Sequence, residues 1–505
     1  ALQSGPPGST PPPPPGSAIT VMIAVDPKAR HIPHEFFGYS FEKPIMMIKG
    51  GYDAVNTGLV ALYKLLGGGV LRPGANEWCA WEGGGPGHHY TLDGQSYVSE
   101  IDVTQLKGFL DATGWKVLYE CPWFKNNGGN VFECEAVASI IGQDKVTYFQ
   151  FGNEPDLSGG YGKEAHDSWL GWATNIRNAV PWANFCGNCN CEPPPIDPPA
   201  FSNWSHTAPF VRDMSSHIVG GRPLLNMVTK HWYAGFIELG SGNQIDTMLS
   251  HNQDQVTILS EIAQIAADPG GPDVTTNAAA AYVLNGGYGL GFDQAPAPGK
   301  FPGVPWRIEE TNSLAGGGEA GVSNTFGAAL WSINYCFMLA AMGADGLNFH
   351  LGDTANYDAY HISIFSQGGT PATGALYEVC PPFYGHLAFT QCLPGKLLSV
   401  QGAVPQKLTI NAVAKDDGTT AIALVNADRT TPMAVTLTLP AAISSAKSLL
   451  LAAPSLESLS GNVTLGGAQV GIDGSWNPTP IPLTPSGSAL SVTVAPASGQ
   501  IIFVS

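Results

Sequence analysis

The chain has 505 residues, of which 44% are hydrophobic and only 12% charged, with 62 glycines and 41 prolines. That composition describes an ordered, loop-rich protein long enough for more than one domain, and it excludes a disordered chain. A net charge of −18 argues against a nucleic-acid partner, whose phosphates need Lys and Arg, and against an anionic membrane surface; no apolar run of about 18 residues marks a transmembrane span.

Residues 1–17, "ALQSGPPGSTPPPPPGS", form a Pro-rich segment with no core-forming pattern. No signal peptide is visible, and the chain starts at Ala1 as a processed product would. "AITVMIAVDP" (18–27) reads as a strand outside the main alternation, so residues 18–30 are expected to join the C-terminal sheet. From 31 to 390, strand-like and helix-like stretches alternate. Strands are expected at "FFGYSFE" (36–42), "VLRPG" (70–74), "KVLYE" (116–120), "YFQFGNE" (148–154), "NMVTKHWY" (226–233), "VPWRIEE" (304–310) and "DGLNFHLGD" (345–353). Helices are expected at 59–67, 103–114, 131–142, 168–180, 252–267 and 324–343. This is the pattern of a (β/α)₈ TIM barrel. Residues 391–505 alternate apolar and polar residues between Asp-Gly turns and read as an antiparallel β-sandwich domain.

Nine cysteines include a cluster, "CGNCNC", at Cys186, Cys189 and Cys191, read as a disulfide-stapled loop in preference to a metal site because no second ligand pair accompanies it. Sequons stand at Asn203 and Asn462. Together with the low lysine content, these features suggest a secreted protein.

Two strand ends carry the chemistry. "FGNEPDL" stops a buried strand at Gly152 and leaves Asn153 and Glu154 at its end; "PWRIEETN" ends on Glu309 and Glu310. Reactive groups of a (β/α)₈ barrel sit at C-terminal strand ends. Two carboxyl groups there, one an acid and one a nucleophile, suit retaining glycoside hydrolysis, with Asn153 donating to a sugar 2-hydroxyl. Strand alternation places Trp306, Ile308 and Glu310 on one face and Arg307 and Glu309, as an ion pair, on the other.

From 18 to 505 the chain resembles the Asn-Glu-Pro barrel clan of glycosidases, and within it glycoside hydrolase family 79, the β-glucuronidase and heparanase family. "FGNEPDL" resembles that family's acid/base segment and "EETNSLAGGG" (309–318) its nucleophile loop, while "VTKHWY", "FGYSFE" and "LRPGAN" resemble its other strand ends. The resemblance implies Glu154 as general acid/base and Glu310, in preference to Glu309, as nucleophile. Tyr233 would hold the nucleophile ionised. Glu42 and Asn76 would reach sugar hydroxyls, or serve as structural hydrogen-bonders. His231 and His350 read as core histidines rather than pocket residues. In the family, backbone N–H groups of the glycine loop and tyrosine hydroxyls hold the glucuronate carboxylate; Gly316, Gly317 and Tyr357 match these. Ala315 stands where tyrosine is common, which leaves room for a modified uronic acid or a neutral sugar.

With 22 Lys plus Arg against 40 acids, a basic heparin-like cleft is not expected. Exo-action on a terminal β-linked uronic acid of a glycan is, without metal or organic cofactor. The alternatives are a retaining β-glucosidase or β-xylosidase on the same fold, and a catalytically silent glycan-binding protein.

Overall fold

The computed structural model describes residues 18–74, 79–85, 87, 96–121, 129–153, 163–188, 217–233, 244–250, 304–352, 355–363 and 373–505. Outside them lie Glu154, Asn76, Cys189, Cys191, Asn203, the 1–17 segment and the helix expected at 252–267.

Eight parallel strands close into a barrel in chain order. They are Gly38–Glu42, Val70–Gly74, Lys116–Cys121, Val146–Phe151, Phe185–Asn188, Leu225–His231, Trp306–Thr311 and Gly346–Leu351. Seven coincide with the strands read from sequence. The fifth, "FCGN", does not: it has four residues and lies inside the cysteine cluster. Cys186 is therefore a buried residue of a barrel strand with a free thiol, not part of a stapled loop. It lies in the barrel wall between Val146–Phe151 and Leu225–His231, and its Phe185 packs 5.7 Å from Phe151.

Local chemistry sets the helix ends. Ser99 and Asp102 form a capping box at the start of Glu100–Thr113, and Gly114 in the left-handed conformation ends that helix. Helix Phe326–Ala341 is buried along almost its whole length. It packs against Pro381–Thr390, and Phe337 meets Phe389 edge-on at 5.0 Å. An all-round apolar helix is stable here because both the barrel and the C-terminal sheet cover it.

The C-terminal region folds around an 11-stranded sheet. Strand Ile19–Val25 enters it between Gly395–Gln401, which it meets antiparallel, and Met433–Thr438, which it meets in parallel. The sheet is therefore mixed. Alternate residues divide the labour: Ile422 and Leu424 belong to the sandwich's own core, whereas Ala421, Ala423 and Val425 pack on the barrel side. Val21 and Ile23 are buried in the sandwich core. Replacing Ile23 by Ala should cost about 2–4 kcal/mol and lower the urea midpoint clearly; an unchanged midpoint would show that this strand contributes little to the sheet.

Candidate active site

Arg72, in the second barrel strand, has a fully buried side chain. A buried guanidinium demands partners for its fork, and neighbouring strand ends supply them. Nη1 donates to Glu310 Oε2 at 2.7 Å and to Ser40 Oγ at 3.2 Å. Nη2 reaches Asn153 Oδ1 at 2.7 Å and Glu120 Oε2 at 2.9 Å, and Nε donates to Gln150 Oε1 at 3.2 Å. Burial disfavours the charged guanidinium, but the carboxylates of Glu120, Glu309 and Glu310 outweigh it and raise the Arg72 pKa further.

Glu310 has a side chain only 7% exposed. Its second oxygen, Oε1, accepts a hydrogen bond from Tyr233 Oη at 2.9 Å. His231 Nδ1 and His350 Nδ1 lie 3.5 and 3.9 Å from Oε2. Burial alone would raise the pKa of Glu310; His231, His350, Arg72 and the Tyr233 phenol reverse that and hold it far below the usual carboxylate range. Tyr233 is itself pushed up, first by burial and then by Glu310, so it keeps its proton and donates. Both histidines, read from sequence as core residues, thus face Glu310. His350 also lies 3.2 Å from Ser40 Oγ and 3.9 Å from Glu42 Oε1, which places Glu42 at the same end of the barrel.

The alternation expected along the seventh strand fails at its end. Lys230 pairs with Ile308, but the next residue, His231, pairs with Glu310. One extra residue, Glu309, is inserted on the seventh strand: a β-bulge, which turns the side chain of Glu310 to a new direction. Trp306 and Ile308 pack into the hydrophobic core. Arg307 does not pair with Glu309; it donates to Asn348 Oδ1 at 2.6 Å and to the carbonyls of Glu35 and Leu347. Glu309 is fully buried, 3.4 Å from His231 Nε2. The bulge sends Glu309 and Glu310 to opposite nitrogens of one imidazole.

The fourth strand ends at Phe151, and Gly152 turns the chain with φ +73°. Asn153 comes next and is seized by Arg72. Glu154 and Asn76 lie outside the described residues. The loop after the seventh strand holds Gly316, Gly317 and Gly318 in succession at φ +67°, +88° and +73°. Asn356 N–H donates to Gly317 O at 2.7 Å, which fastens the loop to the segment carrying Tyr357. The N–H groups of Gly316 and Gly317 make no hydrogen bond to another described residue. Tyr357 is 5% exposed, and its ring centroid lies 6.1 Å from that of Tyr233. Ala315 is half-buried at the base of the loop.

Arg72, Ser40, Glu120 and Gln150 are not among the residues that the sequence patterns single out. Arg72 carries a usable signal: a lone cation within "VLRPG", a strand otherwise apolar, is a buried charge that requires carboxylates. The arrangement keeps one carboxylic acid, Glu310, ionised at a barrel strand end.

No family model matches the chain. It is 33% identical over 94 residues to a β-glucuronidase of Aspergillus niger and 36% identical over 89 residues to one of Neurospora crassa. Those matches span 19% and 18% of this chain, and only 16% and 15% of the two curated relatives' length. Among solved structures, a 4-O-α-L-rhamnosyl-β-D-glucuronidase from Fusarium oxysporum 12S superposes with a TM-score of 0.66 at 17% identity, covering 96% of this chain and 100% of that one. A GH51 arabinofuranosidase from Xanthomonas axonopodis pv. citri gives 0.64 at 12% identity, covering 97% and 100%. These likenesses establish the fold: a TIM-type barrel with a second β domain.

The charge arrangement predicts a pH-dependent stability. The depressed pKa of Glu310 contributes stability above the ordinary carboxylate range that is lost as pH falls. Arg72→Met leaves Glu310 and Glu120 buried without their cation, so it should cost about 3–5 kcal/mol near neutrality. Melting curves of both proteins should converge as the pH is lowered and the carboxylates protonate; a deficit independent of pH would contradict the ion-pair account.

Proposed function

We propose that the chain is a retaining, exo-acting glycoside hydrolase, a β-glucuronidase that removes a terminal, plain or modified, glucuronic acid from a glycan. The observation that carries this reading is Glu310, buried and held ionised at a barrel strand end by Arg72 and Tyr233. In the first step the Glu310 carboxylate attacks the anomeric carbon while Glu154 donates its proton to the leaving oxygen. In the second, Glu154 takes a proton from water, which displaces Glu310 from the glycosyl-enzyme. Tyr233 and Arg72 occupy both oxygens of the nucleophile and fix its orientation. Asn153, with its oxygen turned to Arg72, is oriented to offer its amide to the 2-hydroxyl.

For the sugar, the N–H groups of Gly316 and Gly317, unpaired among the described residues and beside Tyr357, supply donors for a carboxylate. The local likeness to two fungal β-glucuronidases supports the same substrate class. The Fusarium oxysporum protein of like fold was solved with Rha-GlcA, and the small side chain at Ala315 leaves space for a substituted uronic acid. Ala315 also supports the second reading, a β-glycosidase for a neutral sugar. Secretion is proposed with the glycan substrate; Asn462, in one sequon, is exposed.

Aryl β-glucuronide, β-glucoside and β-xyloside distinguish these readings. The glucuronide is expected to lead the glucoside by at least about a hundredfold in kcat/KM, since donors that a bound sugar desolvates reject an analogue that leaves them unpaired. Tyr357→Phe should narrow that ratio by slowing the glucuronide; equal wild-type rates would assign the pocket to a neutral sugar. Glu310→Gln and Glu154→Gln should each lower turnover by about 10³-fold or more while the protein stays folded; full activity in Glu310→Gln would overturn the reading. The activity profile should be bell-shaped with an acid optimum. Tyr233→Phe should move its acid limb to higher pH, because Glu310 loses a donor that depresses its pKa.

A further inference from the structure

A pair of buried cysteines meets beside the third barrel strand. Cys121 is the last residue of that strand, Lys116–Cys121, and Cys134 stands in the helix Gly129–Ile140 that packs on it. Both side chains are wholly buried. Their sulfurs lie 2.7 Å apart. The residues just before them meet as well: Lys43 Nζ donates to Glu120 O at 2.9 Å and pairs with Glu133, and Tyr119 Oη donates to Glu133 Oε1 at 2.8 Å. Strand residues 119–121 and helix residues 133–134 thus form one seam.

Packing alone does not account for the two sulfurs. Unbonded heavy atoms rest about 3.5–4.0 Å apart, and sulfur is larger than carbon, so two thiols at 2.7 Å press on each other. A disulfide holds its sulfurs at about 2.05 Å, so bonding relieves the contact with a small inward shift. The two residues are 13 apart in the chain, and the bond closes a loop at the end of the barrel that carries Glu310. The seam reaches that site directly. Glu120 Oε2 meets Arg72 Nη2 at 2.9 Å. Cys121 O accepts the N–H of Gly152 at 2.9 Å, the residue that turns the chain toward Asn153.

We propose that Cys121 and Cys134 form a disulfide that staples the helix Gly129–Ile140 to the end of the third barrel strand and braces Glu120 and Gly152. The bond forms by exchange with a disulfide oxidant of an oxidising compartment. One cysteine thiolate attacks a sulfur of the oxidant and expels the other as a thiolate; the second cysteine then displaces the mixed disulfide. The Cys121–Cys134 bond forms, the oxidant's S–S bond is reduced to two thiols, and the two cysteine protons pass to them. Burial pushes the Cys134 thiol up, so it is a poor nucleophile once folded, and exchange belongs to folding, before the helix closes on the strand. The staple is independent of the glycosidase reading, and its test does not use activity.

The full chain, produced through an oxidising secretory pathway, is denatured, alkylated without reductant and digested with trypsin. Cleavage after Lys116, Lys125 and Lys145 leaves Cys121 as the one cysteine of peptide 117–125 and Cys134 as the one cysteine of peptide 126–145. Mass spectrometry should find the two peptides as one linked species that separates on reduction. In Cys134→Ala, peptide 117–125 should instead carry an alkyl group, and the melting temperature should fall by at least about 3 °C. Both peptides alkylated in the wild type, or either one linked to a different cysteine, would overturn the disulfide. An unchanged melting temperature in Cys134→Ala would overturn its bracing role.

Discussion

One buried guanidinium organises the mouth of the barrel. Arg72 comes from the second strand, and its partners come from the first, third, fourth and seventh, together with Asn153 just past the fourth. Without water to solvate it, each donor must find an acceptor or destabilise the fold. The geometry of the fork therefore dictates where those strand ends sit. The same contacts that satisfy Arg72 orient Glu310 and Asn153, so the residues proposed to meet substrate are fixed by a requirement of folding. Precise placement of this kind is what chemistry at a strand-end site needs.

The second constraint is the bulge in the seventh strand. A regular strand would turn Glu310 away from Glu309. The inserted residue instead gives both carboxylates a nitrogen of His231, one on each edge of the ring. Glu309 stays fully buried below, while Glu310 lies between Arg72 and Tyr233. The seventh strand thus delivers two acids to two environments, and only Glu310 combines a cation, a phenol and a place beside Tyr357's ring system. This separation supports Glu310 as the reacting group.

Much of this is legible in the sequence, and the failures have physical reasons. Seven barrel strands are visible because apolar runs end on Gly, Pro or charged residues. The fifth escapes because four residues carry too little periodicity and its cysteine reads as part of a loop motif. Glu310 is legible as a strand-end acid, but its facing is not, because alternation breaks at a bulge that only the neighbouring strand's register reveals. His231 and His350 read as core residues since burial is the usual fate of a histidine on a barrel strand; nothing local shows that a carboxylate waits opposite. Arg72 is the overlooked signal with the largest consequence.

Glu310 is proposed as the ionised nucleophile of a double displacement. The most direct test is to trap the intermediate with a 2-deoxy-2-fluoro-β-glucuronyl fluoride, digest the protein and locate the added sugar by peptide mass spectrometry. One sugar per chain, esterified to Glu310, is the expected result. Labelling of Glu309 instead, or turnover of the reagent to an inverted sugar with no labelled peptide, would contradict it.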